Sequence, residues 1–465
     1  MKHIVLTTWG SLGDLHPMLA LALELQRRGH RATVATSAIY RAKIENCGVG
    51  FHAVRPNLPR LEEIFELMQR VMHTRRGTEF LFRDLLMPAL RDSYRDLSEI
   101  APDCDLIVTH PAQLAGPIIA QKFALRWASV VLAPISLYSV FDPPVLPHPL
   151  FAPLYRTRTT THLAFLLMRL ATRSWVEEVR VLRREIGLAR GAHPMAGGQY
   201  SPQLNIAMFS RELGAPQSDW PRNTVQSGFA FYDARGALES QRGAAVVDLA
   251  LRGDHDDALS PALRKFLDAG EAPIVFTLGS AAVHKPGDFY RQSAQAARLL
   301  GRRAILLGDI SGQNADASNA NSPNADVSIA NSPNADTSNA NASNADADAQ
   351  IVAFDYAPYS QLFSRSCAVV HQGGVGTTAQ AMRSGRPQLV VPHSHDQPDN
   401  AARIARRKIG RALPLCQYQA QRVADELRLL LGDIEYSNRA RKTGAQVQDE
   451  NGAATAADAL EKQLR

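Results

Sequence analysis

Apolar residues recur along the chain in short runs that alternate with longer amphipathic stretches. Residues 2–9 (KHIVLTTW) predict a buried strand, and a glycine-containing turn follows it. Pro17 is then expected in the first turn of a helix that ends at Gly29, and residues 31–36 predict the next strand. Because a strand–helix–strand unit joins parallel strands, this pattern predicts an α/β domain with a parallel sheet.

The same alternation recurs further along the chain. Strand-like runs lie at residues 105–109 and 127–132, and others lie in the second half at 273–279, 303–308 and 351–354. A chain of 465 residues is long enough for two or three domains. We therefore predict an α/β fold made of two Rossmann-like, doubly wound domains.

Changes in composition predict the domain boundaries. Residues 1–235 are assigned to an N-terminal domain, 236–260 to a linker of small and charged residues, and 261–445 to a C-terminal domain. Residues 446–465 are assigned to a final helix. Within the second domain, residues 313–350 repeat a ten-residue unit such as NADASNANSP, which has almost no apolar side chains to bury. This low-complexity insert is predicted to be disordered.

The stretch from 369 to 400 carries the clearest chemistry. A strand end, a glycine turn and a helix start are formed by His371, Gly373, Gly374, Gly376 and Thr377. A helix N-terminus offers unpaired N–H groups and a positive dipole end, which suit phosphate. Asp396 and Gln397 follow the next strand and could hold sugar hydroxyls. Because both strand ends lie at the same edge of a sheet, this stretch predicts a nucleotide-sugar site.

The sequence HQGGVGTTAQAMRSGRPQLVVPHSHDQPDNA resembles the donor-site signature of family 1 glycosyltransferases. The resemblance covers nearly the whole chain apart from the repeat insert, and is strongest to bacterial glycolipid rhamnosyltransferases and sterol glucosyltransferases. It implies the GT-B fold, in which two Rossmann-like domains face a central cleft and C-terminal helices cross between them. It also implies that Ser280 contacts the donor diphosphate and that Tyr356 lies beside the nucleobase. A half-buried edge aromatic would explain Tyr356 nearly as well.

The turn after the first strand, GSLGD, lacks the third glycine of a dinucleotide-binding loop. In the family that the chain resembles, the general base stands at the position of Asp14, and a carboxylate there could take a proton from an acceptor hydroxyl. The alternative is that Asp14 only caps the following helix. His16 is a rival base because imidazole titrates near neutral pH. Ser11, His16 and His110 are expected to line the acceptor pocket, although His110 could instead be structural.

Two stretches with helical patterns, residues 60–100 and 150–190, are rich in Leu, Met, Phe and Arg, and a proline-rich loop at 142–155 separates them. The resemblance implies that they wall an acceptor pocket, and an apolar wall suits a lipophilic acceptor. Packing over the sheet is the alternative. Arginines between 156 and 184 form a basic face that could meet an anionic membrane, although a solvated helix face is the simpler interpretation.

Composition narrows the class of protein. Hydrophobic residues make up 45% and charged residues 21%, as in soluble globular proteins. The four cysteines lie far apart, which predicts reduced thiols and a cytoplasmic protein, with contact at the inner membrane surface as an option. The net charge of +6 is too small to indicate a nucleic-acid partner.

Together these features predict an inverting glycosyltransferase that moves a hexose from a UDP- or dTDP-sugar to a hydroxyl of a lipophilic small molecule or lipid. We expect no cofactor and no metal, because the helix dipole and nearby donors could balance the charge of the diphosphate. His393 and His395 lack a third ligand nearby in the sequence. A catalytically inactive, nucleotide-sugar-binding regulatory protein is the alternative.

Overall fold

The structure, a computed structural model, describes the following residues: 1–57, 61–146, 155–232, 259–283, 286–308, 328–329 and 350–465. Nearly all of the predicted linker (236–260) and of the predicted disordered insert (313–350) lies outside these residues. The middle of the proline-rich loop also lies outside them.

The first parallel sheet has the strand order β3-β2-β1-β4-β5-β6-β7. Its strands are β1 (His3–Thr7), β2 (Arg31–Thr36), β3 (Gly50–Ala53), β4 (Leu106–Thr109), β5 (Arg126–Val131), β6 (Leu204–Ala207) and β7 (Thr224–Gln226). β1 pairs in parallel with both β2 and β4, and all five of its residues are buried. A fully buried strand of this kind explains why the sequence shows continuous apolar runs instead of alternation.

The second parallel sheet has the strand order β10-β11-β9-β8-β12-β13-β14. Its strands are β8 (Ile274–Thr277), β9 (Ala304–Leu307), β10 (Ser328–Ile329), β11 (Ile351–Phe354), β12 (Ala368–His371), β13 (Gln388–Val390) and β14 (Gly410–Ala412). Both sheets are doubly wound, so the predicted α/β class with two Rossmann-like sheets is confirmed.

Helices connect the strands of both sheets. They are α1 (Leu12–Arg27), α2 (Arg41–Asn46), α3 (Leu61–Val71), α4 (Gly77–Glu79), α5 (Leu90–Ile100), α6 (Gly116–Lys122), α7 (Arg158–Ala171), α8 (Glu177–Glu185), α9 (Pro261–Asp268), α10 (Gly279–Ala282), α11 (Phe289–Leu300), α12 (Tyr359–Leu362), α13 (Val375–Arg383), α14 (Gln397–Arg406), α15 (Ala420–Gly432), α16 (Ile434–Asp449) and α17 (Gly452–Leu464). A π-helical stretch, Phe80–Leu86, follows α4. Within the described part of the chain, no helix is long and apolar enough to cross a membrane.

The start of α1 differs from the prediction. The helix begins at Leu12, so Pro17 lies inside it and not in its first turn. The cause is a capping box, in which the Ser11 hydroxyl accepts from the Gly13 N–H and the Asp14 carboxylate accepts from the Ser11 N–H. These two bonds satisfy backbone donors one turn earlier than the proline pattern indicates.

Contacts divide the chain into two units, each with its own sheet. Unit 1 comprises residues 1–243, Ser394–Asp399 and Val447–Arg465, and unit 2 comprises the remaining residues. Ser394–Asp399, which the sequence assigned to the second domain, groups with unit 1 because its side chains bond there. The Asp399 carboxylate accepts from the Val145 N–H at 3.0 Å, and His395 Nδ1 lies 3.2 Å from the Thr78 hydroxyl.

The last helix also belongs to unit 1. Arg28, at the end of α1, pairs with Asp458 and Glu461 of α17, and His30 Nε2 lies 3.1 Å from Glu461. Gly452 begins α17 against the backbone of unit 1, where a Cβ would lie 2.3 Å from the Phe229 carbonyl oxygen. These contacts make unit 1 discontinuous in sequence.

Candidate functional site

Each sheet has a switch point, where neighbouring strands connect in opposite directions. In unit 1 this point lies between β1 and β4, with Thr7 beside Thr109 in the register. Open α/β sheets bind ligands at the carboxyl ends of the strands beside such a point. Asp14 follows β1 and His110 follows β4, so the sheet order brings two residues together that are far apart in sequence.

Asp14 occupies the first turn of α1. One of its carboxylate oxygens accepts from the Ser11 N–H at 2.8 Å, as the capping interpretation predicted. The side chain is 31% exposed, so the cap leaves part of the carboxylate accessible to a reactant. Desolvation by burial raises the pKa of Asp14 to about 6, against the lowering effect of its bonds with Ser11. Capping and a role as a base are therefore compatible in one side chain.

His110 Nε2 lies 3.6 Å from the other carboxylate oxygen of Asp14. His110 Nδ1 accepts from the Ala112 N–H at 3.4 Å, and this bond assigns the proton to Nε2, which faces the carboxylate. Burial lowers the pKa of His110 to about 4, so the ring is neutral near pH 7. Since Asp14 has the higher pKa, it is the stronger base of this pair.

Gly10 lets the Asp14 carboxylate lie against the backbone. Its φ is +143°, in a region that favours glycine, and a Cβ there would lie 2.1 Å from the Asp14 Oδ2 atom. The Tyr40 hydroxyl donates to the Gly10 carbonyl at 2.9 Å and fixes the turn. The glycine of the predicted turn is therefore required by the position of the candidate base.

The rival base His16 has a different environment. Its ring packs on Tyr232 with the ring centroids 5.1 Å apart. Burial first, and then the positive charge of Lys43, lower the pKa of His16 well below its usual value. Both effects disfavour the protonated form of His16, and Ser11 serves as the cap of α1.

In unit 2 the switch point lies between β8 and β12, with Thr277 beside His371 in the register. The turn after β8 leads into α10, where Ser280 is partly exposed. The glycine turn after β12 leads into α13. The sheet order thus places the predicted TLGS turn and the predicted glycine turn at one edge of unit 2.

His371 is fully buried, which corrects its predicted contact with the donor. Its Nδ1 accepts from the Gly373 N–H at 3.0 Å, and its Nε2 donates to the Gln388 side-chain oxygen at 2.9 Å. Burial lowers its pKa to about 4, so the ring is neutral near pH 7. With both ring nitrogens bonded inside the protein, His371 positions the glycine turn.

The glycine turn is shorter than predicted. Gly373 has a φ of +91°, Gly374 is the N-cap residue, and α13 already begins at Val375. Gly376 and Thr377 therefore lie in the first helical turn, where backbone N–H groups have no partner within the helix. Gly376 has no side chain and is partly exposed. The predicted phosphate-binding feature is thus a helix N-terminus.

Two further residues of this region were missed in the sequence. The side-chain amide of Gln372 lies between the two turns, since a Cβ on Gly279 would be 2.2 Å from its nitrogen and one on Gly374 3.0 Å. Gln372 also donates to the Thr377 hydroxyl at 3.4 Å. In the sequence, the position of Gln372 between the predicted site residues His371 and Gly373 could have indicated this role.

The second missed residue is Tyr359, in α12. Its hydroxyl lies 3.0 Å from the Thr277 hydroxyl and also bonds with Thr377, and its ring stacks on Phe363. It therefore connects the ends of the two turns. No motif in the sequence indicated this role.

The remaining predicted donor residues have mixed environments. Tyr356 is 44% exposed in the loop after β11. Gln397 is buried, and its side-chain oxygen accepts from the Ser394 N–H at 3.2 Å, so it stabilises its own turn. Asp396 is partly exposed. Asn400 donates to the Gly373 carbonyl at 2.9 Å and so contributes to the glycine turn.

A concavity of about 420 Å³ lies elsewhere in unit 1. It is lined by the beginnings of β2 and β3, including Arg31, Thr33 and Phe51. These are the amino ends of the strands, the edge opposite to the one where open α/β sheets bind ligands. We assign this concavity no part in the site. Among the described residues, no three His, Cys, Asp or Glu side chains are grouped so as to hold a metal ion.

Comparisons with known proteins give the identity of this fold. Residues 4–93 match the family described as "Glycosyltransferase family 28 N-terminal domain", and residues 335–462 match "Erythromycin biosynthesis protein CIII-like, C-terminal domain". The chain is 28% identical to O-mycaminosyltylonolide 6-deoxyallosyltransferase of Streptomyces fradiae, with 99% of this chain and 97% of the relative covered. It is 24% identical to a sterol 3-beta-glucosyltransferase of Arabidopsis thaliana, with 99% and 66% covered.

Solved structures agree in fold. The spinosyn forosaminyltransferase SpnP superposes with a TM-score of 0.63 at 15% identity, covering 100% of this chain and 99% of that one. The spinosyn rhamnosyltransferase SpnG, complexed with thymidine diphosphate, gives 0.60 at 18% identity, covering 99% and 100%. The fold is therefore GT-B, and the protein is a glycosyltransferase. The chain is thus similar to glycosyltransferases over nearly its whole length, in agreement with its signature sequence.

Proposed function

We propose that the protein is an inverting transferase that moves a hexose from a nucleoside-diphosphate sugar to a hydroxyl of a lipophilic acceptor. The observation that carries the proposal is the Asp14–His110 pair at the switch point of unit 1. A partly exposed carboxylate with a pKa of about 6 is charged at neutral pH and still basic enough to take a proton.

In the proposed reaction, Asp14 takes the proton of the acceptor hydroxyl. The oxygen attacks the anomeric carbon as the bond from that carbon to the diphosphate oxygen breaks. The diphosphate leaves with the electron pair, and the configuration at the anomeric carbon inverts. His110 stays neutral, with its Nε2 facing the Asp14 carboxylate at 3.6 Å.

We infer that the donor diphosphate binds at the glycine turn of unit 2. The first-turn N–H groups of α13 would balance its negative charge, with the Gln372 amide and the Ser280 hydroxyl as further donors. His371 would act indirectly, by holding Gly373. These groups supply the stabilisation without a metal, so we expect activity to persist in excess EDTA.

The relatives support a first choice of donor and acceptor to test. SpnG was solved with thymidine diphosphate, so dTDP-sugars take first place in a donor panel, beside UDP-sugars. The relatives named above are an O-mycaminosyltylonolide 6-deoxyallosyltransferase and a sterol 3-beta-glucosyltransferase, and the sterol acceptor of the second supports an apolar alcohol as acceptor.

The test is a thermal-shift panel of nucleoside diphosphates, followed by a mass-spectrometric screen of lipophilic alcohols with the best donor. A product heavier by one hexose, absent for the Asp14→Asn variant, supports the proposal. Tight nucleotide binding with no transfer to any alcohol would instead support a regulatory binding protein.

A further inference from the structure

Helix α7 exposes an apolar face. Leu163, Leu166, Leu167 and Leu170 are exposed by 50%, 51%, 49% and 59%, respectively. Their spacing of three and four residues places them side by side on one face of the helix, here called the leucine face. The opposite side packs inward, where Thr161 and Ala164 are buried. Phe165, next to Ala164 in the sequence, packs against Tyr138, with the ring centroids 5.7 Å apart.

The exposure of these leucines argues against the alternative that they pack over the sheet. Single exposed leucines are ordinary on protein surfaces, but four contiguous ones on a single helix mark an interaction surface. Val145 and Phe141 add to the exposed apolar residues of the preceding loop, at 43% and 41% exposure.

Positive charge flanks the leucine face at both ends of α7. Arg156 and Arg158 precede or begin the helix, and Arg169 and Arg173 lie at its end. All four are exposed, and none forms a salt bridge with another described residue. Residues 155–176 contain no Asp or Glu. The Arg158 guanidinium lies over the ring of Phe141, 4.2 Å from its centroid, so this cation borders the exposed apolar residues.

We propose that α7 docks the protein onto a bilayer that contains anionic phospholipid. The leucine face would enter the boundary between headgroups and acyl chains, and the four arginines would meet lipid phosphates. A helix of 14 residues is about 21 Å long, shorter than the roughly 30 Å hydrocarbon core, so it would lie along the surface. The charge pattern favours lipid over a second copy of the chain, because two such faces would repel each other.

The experiment is flotation of the full chain with vesicles of phosphatidylcholine, with and without phosphatidylglycerol. We expect binding to the anionic vesicles that weakens as salt is added. The double variant Leu166→Glu/Leu170→Glu should bind at least about tenfold more weakly, because it places two charges on the inserted face. Leu429→Glu is the matched control, since Leu429 is 54% exposed on α15 and far from α7 in sequence.

Circular dichroism and thermal melting establish that the variants are folded. Equal binding by the parent and the double variant would overturn the proposal, as would the absence of binding to anionic vesicles. Analytical ultracentrifugation tests whether a second copy of the chain binds the leucine face instead of lipid. If the parent is a dimer that the double variant converts to a monomer, the leucine face joins two copies, and the membrane proposal is wrong. The assay measures lipid binding alone, so its result does not depend on the proposed reaction.

Discussion

Replacement of Asp14 by Asn separates a catalytic carboxylate from a structural cap. The Asn side-chain oxygen can still accept from the Ser11 N–H, so the start of α1 is retained. The ability to take a proton is lost. Loss of a general base typically lowers the rate by about 10²- to 10⁴-fold, and we expect kcat to fall within that range.

The same substitution should stabilise the fold. A rise in the Asp14 pKa from 3.8 to about 6 means that the charged carboxylate costs up to about 3 kcal/mol of unfolding free energy at neutral pH. Because the folded-state pKa lies above the unfolded value, the folded protein binds more protons than the unfolded chain between pH 3.8 and about 6. Stability is therefore lost as the pH rises from about 4 to 6, and the full cost remains above pH 6.

The assay combines initial rates of nucleoside-diphosphate release with thermal melting at several pH values. We expect kcat/KM of the parent to fall with unit slope below pH about 6, where Asp14 becomes protonated. Asp14→Asn should melt at a higher temperature than the parent at pH 8, with the difference vanishing near pH 4. Asp288→Asn, at an exposed helix start, is the control and should leave the rate unchanged.

Retention of the parental rate by Asp14→Asn would remove Asp14 from the chemistry. A lower melting temperature at pH 8 would show that the carboxylate acts mainly as a cap, and the assignment of a destabilising, functional carboxylate would be wrong.

Three further expectations concern the surroundings of the two candidate sites and the C-terminal helix. Gly10→Ala should lower stability by about 1–3 kcal/mol and reduce activity, because its Cβ would meet the Asp14 carboxylate, whereas Gly13→Ala should be tolerated in melting and rate assays. Gln372→Ala should raise the KM for the donor with little change in melting temperature. His371→Ala should instead lower the unfolding free energy by about 1–3 kcal/mol, because it leaves the buried Gln388 side-chain oxygen unpaired. Equal effects of the two variants on KM would contradict the division between a contacting and a positioning residue. Arg28→Ala should destabilise the protein more than Arg83→Ala in denaturant unfolding, because Arg28 is 17% exposed and Arg83 is 58% exposed.

The fold was largely predictable because buried parallel strands are continuous apolar runs. The strands at 31–36 and 351–354 match their predicted bounds. Helix starts were less predictable, since they depend on bonds between side chains and backbone. The capping box of Ser11 starts α1 before Pro17, and α13 starts before Thr377.

The candidate site was predictable only in part. The signature located the glycine turn, but it could not show that the ring of His371 points into the protein. The pairing of Asp14 with His110 depends on the strand order β1-β4, which local patterns do not reveal. The sequence also could not show whether the apolar face of α7 is buried or exposed, because an apolar helical stripe has the same sequence pattern in either case.

The docking of α17 onto α1 has a consequence for synthesis. Unit 1 contains both residues 1–243 and Val447–Arg465, so it cannot be completed until Val447–Arg465 has been translated. During synthesis the surface of α1 that Arg28 shares with α17 stays uncovered while all of unit 2 is made. A fragment ending near residue 243 should therefore need the C-terminal helix, supplied as a separate peptide, to reach its native stability.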